Sequence, residues 1–516
     1  MVTASNPILK GFYPDPSICR VGDNFYLVNS SFAYFPGVPI FHSKDLLNWE
    51  QIGHVLDRSS QLPLGNCGHS RGIFAPTIRY HKGIFYMITT NVSSGGNFIV
   101  TANQPSGPWS EPYYLGEEAQ GIDPSLFFDE DDRCYYVGTR PNPEGVRYNG
   151  DWEIWVQEVN LTSMKLVGES TKLWKGALNG VIWPEGPHLY KKGDYYYLMI
   201  AEGGTGPNHS ITVARSKEVT GPYENNPNNP ILTHRHLGSD YPIRYVGHGD
   251  LVDDINGNWY VVMLASRQYE GYTNLGRETF IAKVTWEQDW PVINAGIGKL
   301  EQEVTLSLEE VKKVPKSSTY HFTTNQLDDS FVMLRNPKDK MYSLTKRENF
   351  LRLFLFKESL KEESNPSYLA VRQKDYFYQA STYLEFEAKQ ELEEAGLCVL
   401  QSNLYHVRFV KKKEANKEWI MVIICENGVD KILVKEEVTA KKLELKIVNK
   451  GQEADFYYRV NAEYKKVLEN VDMHLLSTEV AGGFTGCTIG MYATSNGSES
   501  SNYADFAWLS YEALKE

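Results

Sequence analysis

The chain has 516 residues, enough for two or more domains, and a net charge of −13 that argues against a nucleic-acid footprint. No apolar run approaches membrane-spanning length. Six cysteines without a CxxC pair or a dense framework predict free buried thiols in a reducing compartment.

At the start, Met1 to Lys10 lacks the basic segment and apolar stretch of a secretory leader, so a cytoplasmic location is expected. The next 250 residues carry one short motif five times. The copies are Tyr13-Pro14-Asp15-Pro16-Ser17-Ile18, Ile73-Phe74-Ala75-Pro76-Thr77-Ile78, Gly121-Ile122-Asp123-Pro124-Ser125-Leu126, Trp183-Pro184-Glu185-Gly186-Pro187-His188-Leu189 and Val246-Gly247-His248-Gly249-Asp250-Leu251. Each is followed by a polar turn and an aromatic-rich run, such as Asn24 to Val28, Ile84 to Ile88 or Tyr195 to Met199. Gly22-Asp23, Lys82-Gly83 and Gly193-Asp194 are hairpin signals between strand-like runs. The variable slots are 60, 48, 62 and 63 residues apart. A four-stranded unit repeating at such a period predicts a five-bladed β-propeller, with each slot opening the innermost strand of its blade. The slots would then ring one mouth of the central channel.

Composition shifts after Trp290-Pro291. Residues 300–320 are charged and rich in Ser and Lys, as expected of a linker or domain edge. From Phe322 onward the propeller motif is gone, but short strands continue, among them Phe350 to Leu355, Ala380 to Phe386, Tyr405 to Val410, Trp419 to Ile424 and Tyr503 to Tyr511. Polar turns and little helical periodicity predict a β-sandwich. The chain is therefore expected to be all-β, with domains at 1–305 and 320–516.

The slots read Asp15, Ala75, Asp123, Glu185 and His248. Three carboxylates sharing one dry pocket cannot all ionise cheaply, so at least one keeps its proton. Glu185 follows Val181-Ile182-Trp183-Pro184, an apolar setting that favours the protonated form a general acid needs. Asp15 would remain ionised as a base, and Asp123 would tune and orient the acid. Cleavage of a glycosidic bond requires such a divided pair. Arg277 could neutralise part of the cluster and clamp a hydroxyl. Phe32, Tyr34, Phe35 and Phe74 lie close to the first two slots and could form a sugar platform. Any one of these residues alone would pass for turn chemistry or core packing; their shared register is what singles them out. No cofactor is required. A structural Ca2+ beside His248 is compatible with the slot chemistry, and a catalytic metal is not expected. A non-catalytic carbohydrate-binding protein would need aromatics and hydroxyl donors but not three registered acids.

These motifs resemble glycoside hydrolase family 43, in particular its β-xylosidase and α-L-arabinofuranosidase branch. The resemblance extends to Asn6-Pro7-Ile8, Phe41 to Leu46 with Asn48-Trp49, Tyr342 to Thr345, Arg372-Gln373, Glu394 to Leu397 and Gly483-Phe484-Thr485-Gly486. It implies a five-bladed propeller followed by a concanavalin-like β-sandwich, and an inverting mechanism. Asp15 matches the general base, Asp123 the pKa modulator and Glu185 the general acid. Arg277 and His248 match a substrate-side arginine and a central histidine. Phe484 matches a sandwich residue that closes the pocket, and Phe74 stands beside Ala75 where the family often has Trp. The expected activity is release of terminal β-1,4-linked xylose from xylo-oligosaccharides, with α-L-arabinofuranose as a second or even principal leaving sugar. No nucleic-acid or membrane partner is expected, and a homo-oligomer is compatible with the sequence. A fructan-type retaining hydrolase fits less well, because its Asn-Asp-Pro-Asn-Gly motif is absent.

Overall fold

The computed structural model describes residues 1–312 and 317–516. Among them the first half forms five antiparallel sheets, one for each motif copy. Their first strands are Ser17–Val21, Thr77–His81, Ile122–Phe128, Glu185–Lys192 and Ile243–Asp253. Each runs into a hairpin with the aromatic-rich strand that the sequence predicts: Asn24–Val28, Ile84–Asn91, Cys134–Pro141, Tyr195–Glu202 and Trp259–Arg267. In the second hairpin Lys82 and Gly83 both have positive φ, at 47° and 88°, as a twist-matched two-residue turn demands.

The aromatic runs explain why the sheets stack. Tyr26 meets Phe85 of the second sheet edge to face at 5.2 Å between ring centres, and Tyr86 meets Phe128 of the third at 5.1 Å. Phe127 meets Tyr196 of the fourth at 5.9 Å, and Tyr197 meets Trp286 of the fifth at 4.9 Å. Phe25 and Leu27 share a buried cluster with Tyr260 and Val262. Each aromatic pair adds about 0.5–1.5 kcal/mol beyond its area burial, so the repeated tail is the adhesive between neighbouring sheets.

Four of the slots stand ahead of the first strands or within their first two residues. His248 lies inside Ile243–Asp253, at a register shift between Gly247 and Gly249. Register also shifts between Ile122 and Ser125 and between Glu185 and His188. Such bulges re-aim a side chain out of the ladder. Asp15, Asp123 and His248 accordingly adopt φ near +50°.

The second half is a β-sandwich of an eight-stranded and a six-stranded antiparallel sheet. Phe377–Glu385 and Lys442–Lys450 bury every second residue, the period of a strand with one face inward. That face, with Ala380, Leu443, Leu445 and Ile447, packs on Leu397, Val399, Phe409 and Val422 of the six-stranded sheet. Part of the stretch read as a linker is itself structured: Glu303–Leu306 pairs with Val2–Ser5. Residues 313–316 of that stretch lie outside the described residues. No helix among the described residues is long and apolar enough to cross a membrane.

The two halves are sewn together. Met333–Leu334 pairs with Tyr34–Phe35, and the buried Arg372 donates from Nε to the Phe12 carbonyl at 2.7 Å. Tyr34 and Phe35 are thus core residues of this junction rather than a sugar platform.

Candidate active site

Asp15, Phe32, Phe74, Ala75, Asp123, Glu185, His248, Arg277 and Phe484 line one recess. The carboxylates and His248 enter from the slots of four different sheets. Arg277 comes from the turn before Glu278–Glu287, and Phe484 from a loop of the sandwich. That loop reaches the recess because two glycines meet. A Cβ on Gly276 would lie 2.7 Å from the Gly486 nitrogen, and one on Gly486 only 2.3 Å from the Leu275 carbonyl oxygen. Cys487 N–H donates to the Asn274 carbonyl at 2.9 Å, and Phe484 N–H to Ser70 Oγ at 2.9 Å, fixing both flanks.

The three acids have different surroundings. Asp15 is 5 % exposed. It accepts from Arg277 Nη1 at 2.8 Å and from Ser30 Oγ at 2.6 Å, with His248 Nδ1 at 3.8 Å. Burial alone would raise its pKa, but Arg277, His248 and the Ser30 hydrogen bond together hold it below the ordinary carboxylate value. Glu185 has no such cation in contact. Burial, then the charges of Asp123 and Asp15, push its pKa well above that of a free glutamate, against a smaller lowering by Arg277. Asp123 is pushed up to about 6, chiefly by burial, although Gly186 N–H donates to its Oδ2 at 3.1 Å. This arrangement favours the ionised form of Asp15 and the protonated form of Glu185.

Three phenyl rings form one wall. Phe32 lies 5.2 Å from Phe74 and 6.1 Å from Phe484, and the Arg277 guanidinium sits 5.6 Å from both Phe32 and Phe484. Phe32 has φ of +50°, a conformation that a bulky residue keeps only when its surroundings impose it.

Ile122, Thr205, His209 and Leu264 also line the recess, and sequence reasoning missed all four. Thr205 Oγ1, His209 Nε2 and Arg277 Nε are buried without hydrogen-bond partners, which leaves polar atoms for a hydroxyl-rich ligand. His209 Nδ1 bonds the Tyr245 carbonyl oxygen at 2.9 Å, and burial drops its pKa to about 4, so the ring is neutral. Gly247 leaves room for this ring: a Cβ there would lie 2.2 Å from the His209 ring, so a side chain at 247 would displace it.

Among the described residues, the side chains grouped closely enough to hold a metal ion are His406, Cys425 and Asp430 of the sandwich, not the acids and histidine of the recess.

Comparison with known proteins agrees with this geometry. Residues 4–291 match the profile of glycosyl hydrolases family 43, and residues 319–512 match the β-xylosidase C-terminal concanavalin A-like domain. A protein of Butyrivibrio fibrisolvens named xylosidase/arabinosidase is 57% identical over 518 residues, covering 100% of both chains. A non-reducing end α-L-arabinofuranosidase of Bacteroides ovatus is 38% identical, over 99% of this chain and 95% of that one. The crystal structure of a xylan β-1,4-xylosidase from Bacillus halodurans superposes with a TM-score of 0.93 at 36% identity, covering 98% of this chain and 99% of the other. With a family profile spanning more than half its length and full-length relatives well above 30% identity, this chain belongs to glycosyl hydrolases family 43 and is a glycoside hydrolase.

Proposed function

We propose that the protein is an inverting exo-glycosidase that removes terminal β-1,4-linked xylose from xylo-oligosaccharides. The observation that carries this reading is the opposite displacement of two acids in one recess, Asp15 downward and Glu185 upward. Glu185 would donate its proton to the glycosidic oxygen as the bond to the anomeric carbon breaks. Asp15 would take a proton from the water attacking the opposite face, so one displacement inverts the anomeric centre. Asp123, beside Glu185 in charge and held by Gly186 N–H, would keep the acid protonated and aligned. Arg277 would hold Asp15 in its ionised form and present Nε to a sugar hydroxyl.

The architecture behind this reading is a closed five-bladed propeller at 1–305 capped by the sandwich at 320–516. Its support is a run of contacts between first strands. Ile78 N–H donates to Ser17 Oγ, Ser125 Oγ donates to the Pro187 carbonyl, and Ser17 Oγ donates to Asp250 Oδ2 at 2.7 Å, which would bring the fifth blade back to the first. A recess walled by Phe484 suits removal of one terminal sugar at a time. Six free, buried cysteines support a reducing, cytoplasmic location.

A second reading, release of α-L-arabinofuranose, is favoured by the names of the two relatives described above. No metal takes part in the proposed reaction. A structural Ca2+ beside His248 fits poorly, because Arg277 and Ser30 already engage both Asp15 oxygens.

Single-turnover and steady-state rates on xylobiose test the assignment. Asp15→Asn and Glu185→Gln should each lower kcat by about 10²–10⁴-fold with the thermal unfolding midpoint retained. An unchanged rate in either folded variant would remove that residue from its role.

A further inference from the structure

We propose that His406, Cys425 and Asp430 form a binding site for a borderline-soft divalent transition ion, with Zn2+ the best match. The site lies on the sandwich, outside the recess and independent of its chemistry. Its geometry follows from strand register. His406 stands directly opposite Cys425, and Cys425 directly opposite Asp430, on three consecutive antiparallel strands. Directly opposed residues share one face of a sheet with Cβ atoms about 5 Å apart. The three side chains therefore form a row, and their ligand atoms lie within 4.8 Å of one another. Nitrogen, sulfur and oxygen ligands of Zn2+ sit roughly 3.5 Å apart in a tetrahedron, a gap that small side-chain rotations can close.

A second observation points the same way. His406 is 0 % exposed, and its Nε2 is buried with no hydrogen-bond partner. Its Nδ1 faces the Ser402 carbonyl oxygen at 3.3 Å, the carbonyl-to-imidazole contact that commonly orients a metal-bound histidine. Cys425 is equally buried; its sulfur lies 4.0 Å from the Asn403 carbonyl oxygen and within hydrogen-bonding reach of the Asp430 carboxylate. A buried, weakly satisfied imidazole and thiol side by side suit a metal better than they suit each other.

Two cations stand close by. Arg408 Nη2 contacts Asp430 Oδ2 at 2.5 Å, and Lys361 Nζ lies 3.7 Å from the same oxygen. Both approach Oδ2, which leaves Oδ1 for an ion. Arg408 is also paired with Glu394 at 2.5 Å, a carboxylate that Lys412 shares at 3.2 Å. Binding would form a metal–sulfur bond and release the Cys425 thiol proton to solvent, with water completing the coordination.

The test is titration of the full chain with Co2+ followed by competition with Zn2+, read by the thiolate-to-cobalt charge-transfer band. The catalytic recess contains no cysteine, so metal bound there cannot produce that band. The proposal expects one equivalent of Co2+ with the band, displaced by one equivalent of Zn2+. Cys425→Ser should abolish the band, and Asp430→Asn should weaken binding at least tenfold. Asp430 is partly exposed, so its variant keeps the test valid if the Cys425 variant does not fold. Absence of the band in the wild-type protein, its survival in Cys425→Ser, or unchanged affinity in Asp430→Asn would each overturn the site.

Discussion

Arg277 is the residue on which the proposed division of labour between the acids turns. Its guanidinium lowers the pKa of Asp15 in direct contact and, more weakly, that of Glu185. In the wild-type enzyme, kcat/KM should fall at low pH as Asp15 takes up a proton and at high pH as Glu185 loses one. Removing the cation raises both pKa values, so Arg277→Met should move both limbs of the profile to higher pH, with a loss of kcat/KM at neutral pH. A profile that keeps its limbs, or shifts them downward, would contradict the electrostatic role. The same residue illustrates what a sequence can and cannot convey. Arg277, one hairpin beyond His248, was visible as a candidate because the repeat register had already located the slots. His209 was not, because it lies outside the repeated motif and reaches the recess from the edge of Ser210–Ser216.

At the scale of elements, two devices hold the site. The first is the buried clamp beneath the slots. Arg79 of the second sheet grips Asp250 of the fifth with two nitrogens, at 2.8 and 3.1 Å, while Ser17 of the first and Tyr190 of the fourth donate to the same carboxylate. Burial opposes ionisation of Asp250, yet Arg79, His188 and these hydrogen bonds hold its pKa below the ordinary value. Since the unfolded value is about 3.9, this contribution is fully present above that pH and is lost as pH falls below it. Arg79→Met leaves the carboxylate buried and unpaired, and should lower unfolding free energy at neutral pH by about 3–5 kcal/mol in denaturant melts. A loss below about 1 kcal/mol would show that the clamp is not structural. The second device is the sandwich loop carrying Phe484. With 41 % of its surface exposed, this ring adds little to stability but completes the aromatic wall. Phe484→Ala should reduce kcat/KM on xylobiose roughly tenfold, the equivalent of about 1.4 kcal/mol of lost contact, with an unchanged melting temperature. Equal activity in the variant would detach the loop from substrate binding.

At the scale of the whole molecule, the repeat made the first half legible: five motif copies became five sheets, and the aromatic tail of each packs on its neighbour. The second half was legible only as strands, because period-two burial reveals a face but not its partner. The junction escaped notice for the same reason. Met333 and Leu334 pair with Tyr34 and Phe35 through backbone groups, and the Arg372 guanidinium reaches the Phe12 carbonyl, contacts that no local pattern marks. Glu303–Leu306 lay hidden in a charged stretch because its partner, Val2–Ser5, is about three hundred residues away. Both halves contribute to one recess, and the central claim is that this recess inverts a xylosyl bond with Asp15 as base and Glu185 as acid. Time-resolved proton NMR of the purified protein with xylobiose tests it most directly. The account predicts that the xylose cleaved from the non-reducing end appears first as the α-anomer and then mutarotates. The β-anomer appearing first, or xylobiose left intact, would contradict it.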